Sequence, residues 1–128
     1  MSHISSVIDV NASNWEKEVL QHENLVVVDF WHERCSWCNV LKPIYAEIAT
    51  EYKGKAKFAK LNVLVSPENR HIAVKYGIMG TPTLVFFCGG KPVGSMAGFR
   101  PKESLKQLVD DALAKYRECA EKSTELKL

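Results

Sequence analysis

A chain of 128 residues, 46% hydrophobic and 25% charged, has the length and composition of one globular domain, which excludes disorder and a disulfide-built mini-protein. Seventeen basic and fifteen acidic residues in mixed order leave a formal charge of +2 and no basic stripe, arguing against nucleic acid as a partner. No apolar run approaches the ~20 residues of a bilayer span, and the start MSHISSVIDVN lacks the pattern of a signal peptide; a soluble, cytoplasmic protein with no membrane partner is expected.

In chain order, VIDVN at 7–11 reads as a short edge strand. Ser13 followed by Glu16 is a capping-box pattern, and Trp15, Val19 and Leu20 supply the apolar side of a first helix. LVVVDFW at 25–31 is a nearly continuous apolar run rich in β-branched residues, which suits a central strand covered on both faces. Val40, Leu41, Ile44, Ile48 and Ala49 recur at helical spacing and predict a helix from about Ser36 to Tyr52, bent at Pro43. AKFAKLNVLV at 56–65 reads as a further strand. Ser66-Pro67 give a cap and a first-turn proline for a short helix ending before Gly77. TLVFFC and KPVGSMAG flank Gly89-Gly90 and predict a hairpin. Leu105, Leu108, Val109, Ala112, Leu113 and Tyr116 mark a long amphipathic helix. The order β-α-β-α-β-α-β-β-α implies an α/β fold: a central mixed sheet, parallel and then antiparallel, with helices on both faces. The expected organisation is one domain over 1–116 and a charged tail over 117–128 that extends the last helix or frays.

Residues 30–39, FWHERCSWCN, place Cys35 and Cys38 where a strand passes into a helix. The first amides of a helix are unpaired and carry partial positive charge, which favours a thiolate at Cys35. Cys38, one turn on, is placed to attack a mixed disulfide on Cys35 and release the product. Two other readings stand beside this one: half of a zinc site, or two buried thiols without chemistry. Cys88 and Cys119 have no cysteine or histidine partner at finger spacing. In a reducing compartment four cysteines point away from structural disulfides.

These segments resemble the thioredoxin family over about residues 7–116. The resemblance is carried by VVDFW, the C-x-x-C pair, Pro43, KLNV, KYGIMGTPTL, the Gly-Gly hairpin and AGF before the last helix. It implies a thioredoxin fold and reduction of protein disulfides by dithiol–disulfide exchange. Cys35 and Cys38 match the redox pair, and Pro82 matches a proline that is cis in the family. The Thr81 backbone would then face the substrate chain. Asp29 matches a buried acid beneath the resolving cysteine and Lys60 the lysine near it. Trp31 matches a tryptophan under the active site, and Gly98 a glycine near the substrate groove. Re-reduction falls to a separate reductase-type electron donor, flavin- or ferredoxin-linked. No Gly-rich phosphate loop follows a strand, and neither cofactor nor metal is expected. The protein is expected to act as a monomer.

Asp29 has a physical rationale of its own. Burial in an apolar strand raises a carboxyl's pKa, so that it can accept the Cys38 proton, directly or through water. Ser36-Trp37 stand where reducing members of the family usually carry Gly-Pro. The change adds an amide able to reach sulfur and predicts a potential higher by on the order of tens of millivolts. Trp37 and Met79 are expected to shape partner choice at the docking face. Cys88 is read as a strand-end packing residue, Cys119 as an incidental thiol and His32 as facing water. The alternatives are a dedicated reductase or isomerase, a metal or iron–sulfur module, and a redox-sensing interaction domain.

Overall fold

The computed structural model describes residues 6–126, with side chains described as far as 116. Five strands are β1 (Val7–Val10), β2 (Val26–Trp31), β3 (Lys57–Asn62), β4 (Thr83–Cys88) and β5 (Lys91–Ala97). Three helices are α1 (Ser36–Glu51), α2 (Pro67–Lys75) and α3 (Lys102–Leu126), and a short π-helical segment covers Glu16–Leu20. The strands lie in the order β1-β3-β2-β4-β5. β3 pairs in parallel with β1 and β2, whereas β4 runs antiparallel to β2 and β5. This is the mixed α/β sheet that the alternation of elements implied.

The period of two along each strand separates two cores. Val27, Phe58, Leu84 and Phe86 pack with Leu41, Tyr45, Ile48, Leu105 and Val109, so α1 and α3 cover one face. Val26, Val28, Phe30, Ala59, Leu61, Val85 and Phe87 pack with Trp15, Val19 and Ala73 under the π-helical segment and α2. Central β2 is therefore apolar on both sides, and a fully buried valine there contributes roughly 1.5–3 kcal/mol. Asp29 shares the parity of Val27 and faces the α1 side.

The first helix departs from its expected form. Asn11, not Ser13, organises the turn: its Oδ1 accepts from the Ser13 amide (2.8 Å) and the Ser13 hydroxyl (2.6 Å). Trp15 occupies the cap position without a side-chain cap, because an indole has no acceptor to offer, and its ring is buried in the core. The strand expected to run to Val65 ends at Asn62, whose Oδ1 accepts from the Leu64 amide and turns the chain (2.9 Å). Ser66 caps α2 by accepting from the Asn69 amide (3.0 Å), with Pro67 in the first turn. In the hairpin, Gly90 adopts φ +82°, and a Cβ there would stand 2.5 Å from the Leu20 carbonyl oxygen. Only glycine fits that turn.

α3 continues through the region expected as a charged tail, and the Cys119 side chain lies outside those described. Cys88 is buried at the end of β4, its sulfur 3.7 Å from the Tyr116 carbonyl oxygen, and among the described residues no cysteine is a free thiol. No helix among the described residues is long and apolar enough to cross a membrane.

Candidate active site

β2 delivers the chain to the site and a hydrogen-bonded turn redirects it into α1. His32 Nδ1 accepts from the Arg34 amide (3.2 Å), and the Cys35 amide donates to the His32 carbonyl (3.3 Å). Asn39 reaches back to donate to the Glu33 carbonyl (3.1 Å). His32 thus braces this turn, a role its position alone did not reveal.

Cys35 is the N-cap of α1, in extended conformation, and its Sγ accepts from the Cys38 amide (3.1 Å). Cys35 and Cys38 are joined in a disulfide across 5.2 Å between Cα atoms. Their exposures differ: Cys35 is half-buried, while Cys38 is 2% exposed. The amide at sulfur in this oxidised form belongs to Cys38; the one expected from Trp37 is not among the contacts of Cys35.

Beneath the pair lies a cavity of about 60 Å³ lined by Asp29, Trp31, Cys38, Lys42, Tyr45 and Lys60. Asp29 is 4% exposed, and its Oδ1 has no hydrogen-bond partner among the described residues. Burial pushes its carboxyl up to about 7, against the weaker pull of the Lys60 charge. Lys60 is opposite Asp29 in the β2–β3 register, but its ammonium lies 3.7 Å from Asp9 and 5.2 Å from the centre of the Trp31 ring. The lysine therefore lowers the acid's pKa through space, and Asp29 makes no salt bridge among the described residues.

Tyr45 completes the floor. Its hydroxyl donates to the Ala59 carbonyl (2.7 Å) and lies 3.0 Å from that of Val27, bracing β2 against β3 beside the acid. Sequence reasoning missed this residue, although it falls on the apolar face of α1 with Leu41 and Ile48, two turns beyond Cys38.

The peptide bond between Thr81 and Pro82 is cis, as the resemblance implied. Pro82 is buried, and its carbonyl accepts from the Gly98 amide (2.8 Å), which joins two of the expected site residues directly. Gly98 has φ +91°, a conformation that favours glycine. Thr81 stands just outside the β4 ladder, which begins at Thr83. Thr81 and the fully exposed Met79 line a second groove with Leu64, Val74 and His32. Trp37 is 58% exposed and stacks on Phe99, ring centres 5.0 Å apart. Phe99 was not anticipated as a site residue, although it closes the AGF segment that carried part of the resemblance.

A mixed sheet with a bonded cysteine pair at the start of a helix, over a buried acid and beside a cis proline, defines a protein of dithiol–disulfide exchange. The thioredoxin family model matches residues 6–111. A thioredoxin of Buchnera aphidicola is 40% identical over 108 residues, covering 84% of this chain and 97% of the relative. A thioredoxin of Chlorobaculum thiosulfatiphilum is 41% identical over 98 residues, covering 77% and 88%. The M-type chloroplastic thioredoxin of Pisum sativum is 41% identical over 107 residues, covering 84% of this chain and 60% of the relative. The chain belongs to the thioredoxin family, and it is a thiol–disulfide oxidoreductase working through Cys35 and Cys38.

Proposed function

We propose that the protein reduces disulfides of other proteins with Cys35 as nucleophile and Cys38 as resolving thiol. The Cys35 thiolate attacks one substrate sulfur; that S–S bond breaks, and the departing sulfur leaves as a thiolate that takes up a proton. Cys38 then gives its proton to the Asp29 carboxylate and attacks Cys35 Sγ. The bond between Cys35 and the substrate breaks, the second substrate sulfur is released, and the Cys35–Cys38 disulfide forms. Two electrons pass from the protein to the substrate. The observation that carries these roles is the unequal exposure of the pair: Cys35 reaches the surface, while Cys38 is enclosed and shares a cavity with Asp29.

Thr81 and Pro82 offer the backbone against which the substrate chain lies, with Gly98 fixed to Pro82 and Trp31 and Lys60 enclosing the acid. Trp37 and Met79 contribute apolar contact. Each turnover leaves the pair oxidised, so a separate reductase-type donor restores it. A reducing cytoplasm and a monomer acting on dissolved protein partners fit this cycle, and the mixed charge supports no nucleic-acid role. The exposed indole between the cysteines favours a partner-selective reductase over a wholly general one.

A Cys38→Ser variant tests the roles. Expressed in cells, it should retain substrate proteins through Cys35, releasable by dithiothreitol, whereas Cys35→Ser should retain none. Equal retention by both variants would overturn the assignment.

A further inference from the structure

The Trp37 indole projects from the first turn of α1, between the two cysteines, and more than half of it is exposed. Its ring packs at 5.0 Å and 31° on Phe99, from the turn between β5 and α3. Phe99 is held from behind, because its ring also packs on the core formed by α1, α3 and the sheet. Its backbone is held as well: Gly98, the residue before it, donates to the Pro82 carbonyl (2.8 Å). The stack thus ties the reactive turn to the segment carrying the cis proline.

We propose that Phe99 is a specificity-determining residue for disulfide exchange. It holds the Trp37 indole as a flat apolar ledge beside Cys35, and the ledge takes an aromatic side chain adjacent to the substrate's reacting cysteine. This rests on the reading of Cys35 as the attacking thiol. The occupant follows from continuity with the redox pair: a polypeptide whose sulfur reaches Cys35 brings the residues beside that sulfur within reach of the exposed positions 36 and 37. Left alone, Trp37 would sample several rotamers; stacked on an anchored ring it presents one face, with little ordering left for binding to impose. An aromatic ring gains most on such a face, through apolar contact and offset or tilted stacking. A small polar residue gains almost nothing there. Basic side chains would have to compete with Arg34 and Arg100, which adjoin the ledge in sequence and are both exposed.

The test uses the full chain, reduced beforehand with dithiothreitol and freed of it, in single-turnover reactions with two disulfide-linked model peptides. They differ only in Phe or Ser next to the reacting cysteine; hydroxyethyl disulfide serves as a third, side-chain-free substrate. The wild type should reduce the Phe peptide roughly 2- to 10-fold faster than the Ser peptide at limiting peptide concentration, the range an aromatic pair supplies. Phe99→Leu keeps apolar packing against the core and removes the ring face, and should bring that ratio close to one. Phe99→Tyr should retain it. Trp37→Ala should also abolish the preference, and combining it with Phe99→Leu should lower the ratio no further. A ratio near one in the wild type, or one that survives Phe99→Leu, overturns the proposal. So does an equal slowing of both peptides with their ratio preserved, since that is the mark of a structural lesion. Wild-type protein that reduces none of the three substrates would overturn the assignment of Cys35 itself.

Discussion

Asp29 and Cys38 line the same small cavity, and the Asp29 Oδ1 has no hydrogen-bond partner among the described residues. About 60 Å³ is room enough for a water to carry a proton between them. An acid raised to about 7 is half ionised there and becomes predominantly carboxylate only at higher pH, so resolution of the mixed disulfide should quicken as pH rises through that value. Asp29→Asn should lose this limb and slow resolution by on the order of 10²-fold, the lower range for one general base. Stopped-flow measurement of Cys38 attack across pH 5–9 checks it; a superimposable profile in the variant would sink the relay.

The same acid makes stability pH-dependent with a sign opposite to that of a salt-bridged carboxylate. The folded protein holds the Asp29 proton up to about 7, whereas the unfolded chain releases it near 3.8. The folded state is thus favoured at low pH, and this contribution is lost as pH rises between those values. At pH 8 the ionised form costs about 4 kcal/mol at most, since each tenfold change in proton affinity corresponds to about 1.36 kcal/mol. Asp29→Asn should raise the stability of the oxidised protein by several kcal/mol at pH 8 and hardly at all at pH 4. Urea denaturation at the two pH values measures the difference, and an equal gain at both would contradict the cause given.

Trp37 brings a first-turn amide of α1 as well as a ring. In the oxidised structure the Cys35 sulfur accepts from Cys38. Reduction to a thiolate creates a stronger acceptor that the Trp37 amide can also serve. Trp37→Pro removes that donor at a first-turn position where proline is tolerated, and should lower the potential by on the order of tens of millivolts. Trp37→Ala keeps the amide and should shift the potential less. Equilibration with glutathione gives both values, and a drop of the same size in the two variants would assign the effect to the ring.

Unequal access predicts unequal reactivity. In the reduced protein, iodoacetamide at pH about 6 should alkylate Cys35 well ahead of Cys38, because a helix start favours the thiolate and Cys38 is enclosed. Peptide mapping by mass spectrometry reads the order. Labelling of Cys35 no faster than an ordinary exposed thiol would remove the physical basis of its role.

The elements were legible because their signals are local. β2 announced itself by an unbroken apolar run, α2 by Ser66-Pro67, and the hairpin by Gly89-Gly90. Where two local signals competed, the reading went astray: Ser13 matched a capping box, but Asn11 accepts from the Ser13 amide and takes over the turn. The last residues of the expected β3, 63–65, continue an apolar pattern, yet Asn62 folds back on Leu64 and ends the strand.

By itself the sequence determined the alternation of strands and helices, the position of the thiol pair at a strand-to-helix junction and the cost of placing Asp29 in an apolar run. Each depends on residues within a turn or two of one another. Only the tertiary structure decided that Lys60 leans to Asp9 and makes no salt bridge to Asp29, that Tyr45 braces two strands beside that acid, and that Phe99 meets Trp37. Those contacts join residues far apart in the chain, and which side chains converge is set by sheet register and helix packing, quantities that no local periodicity encodes.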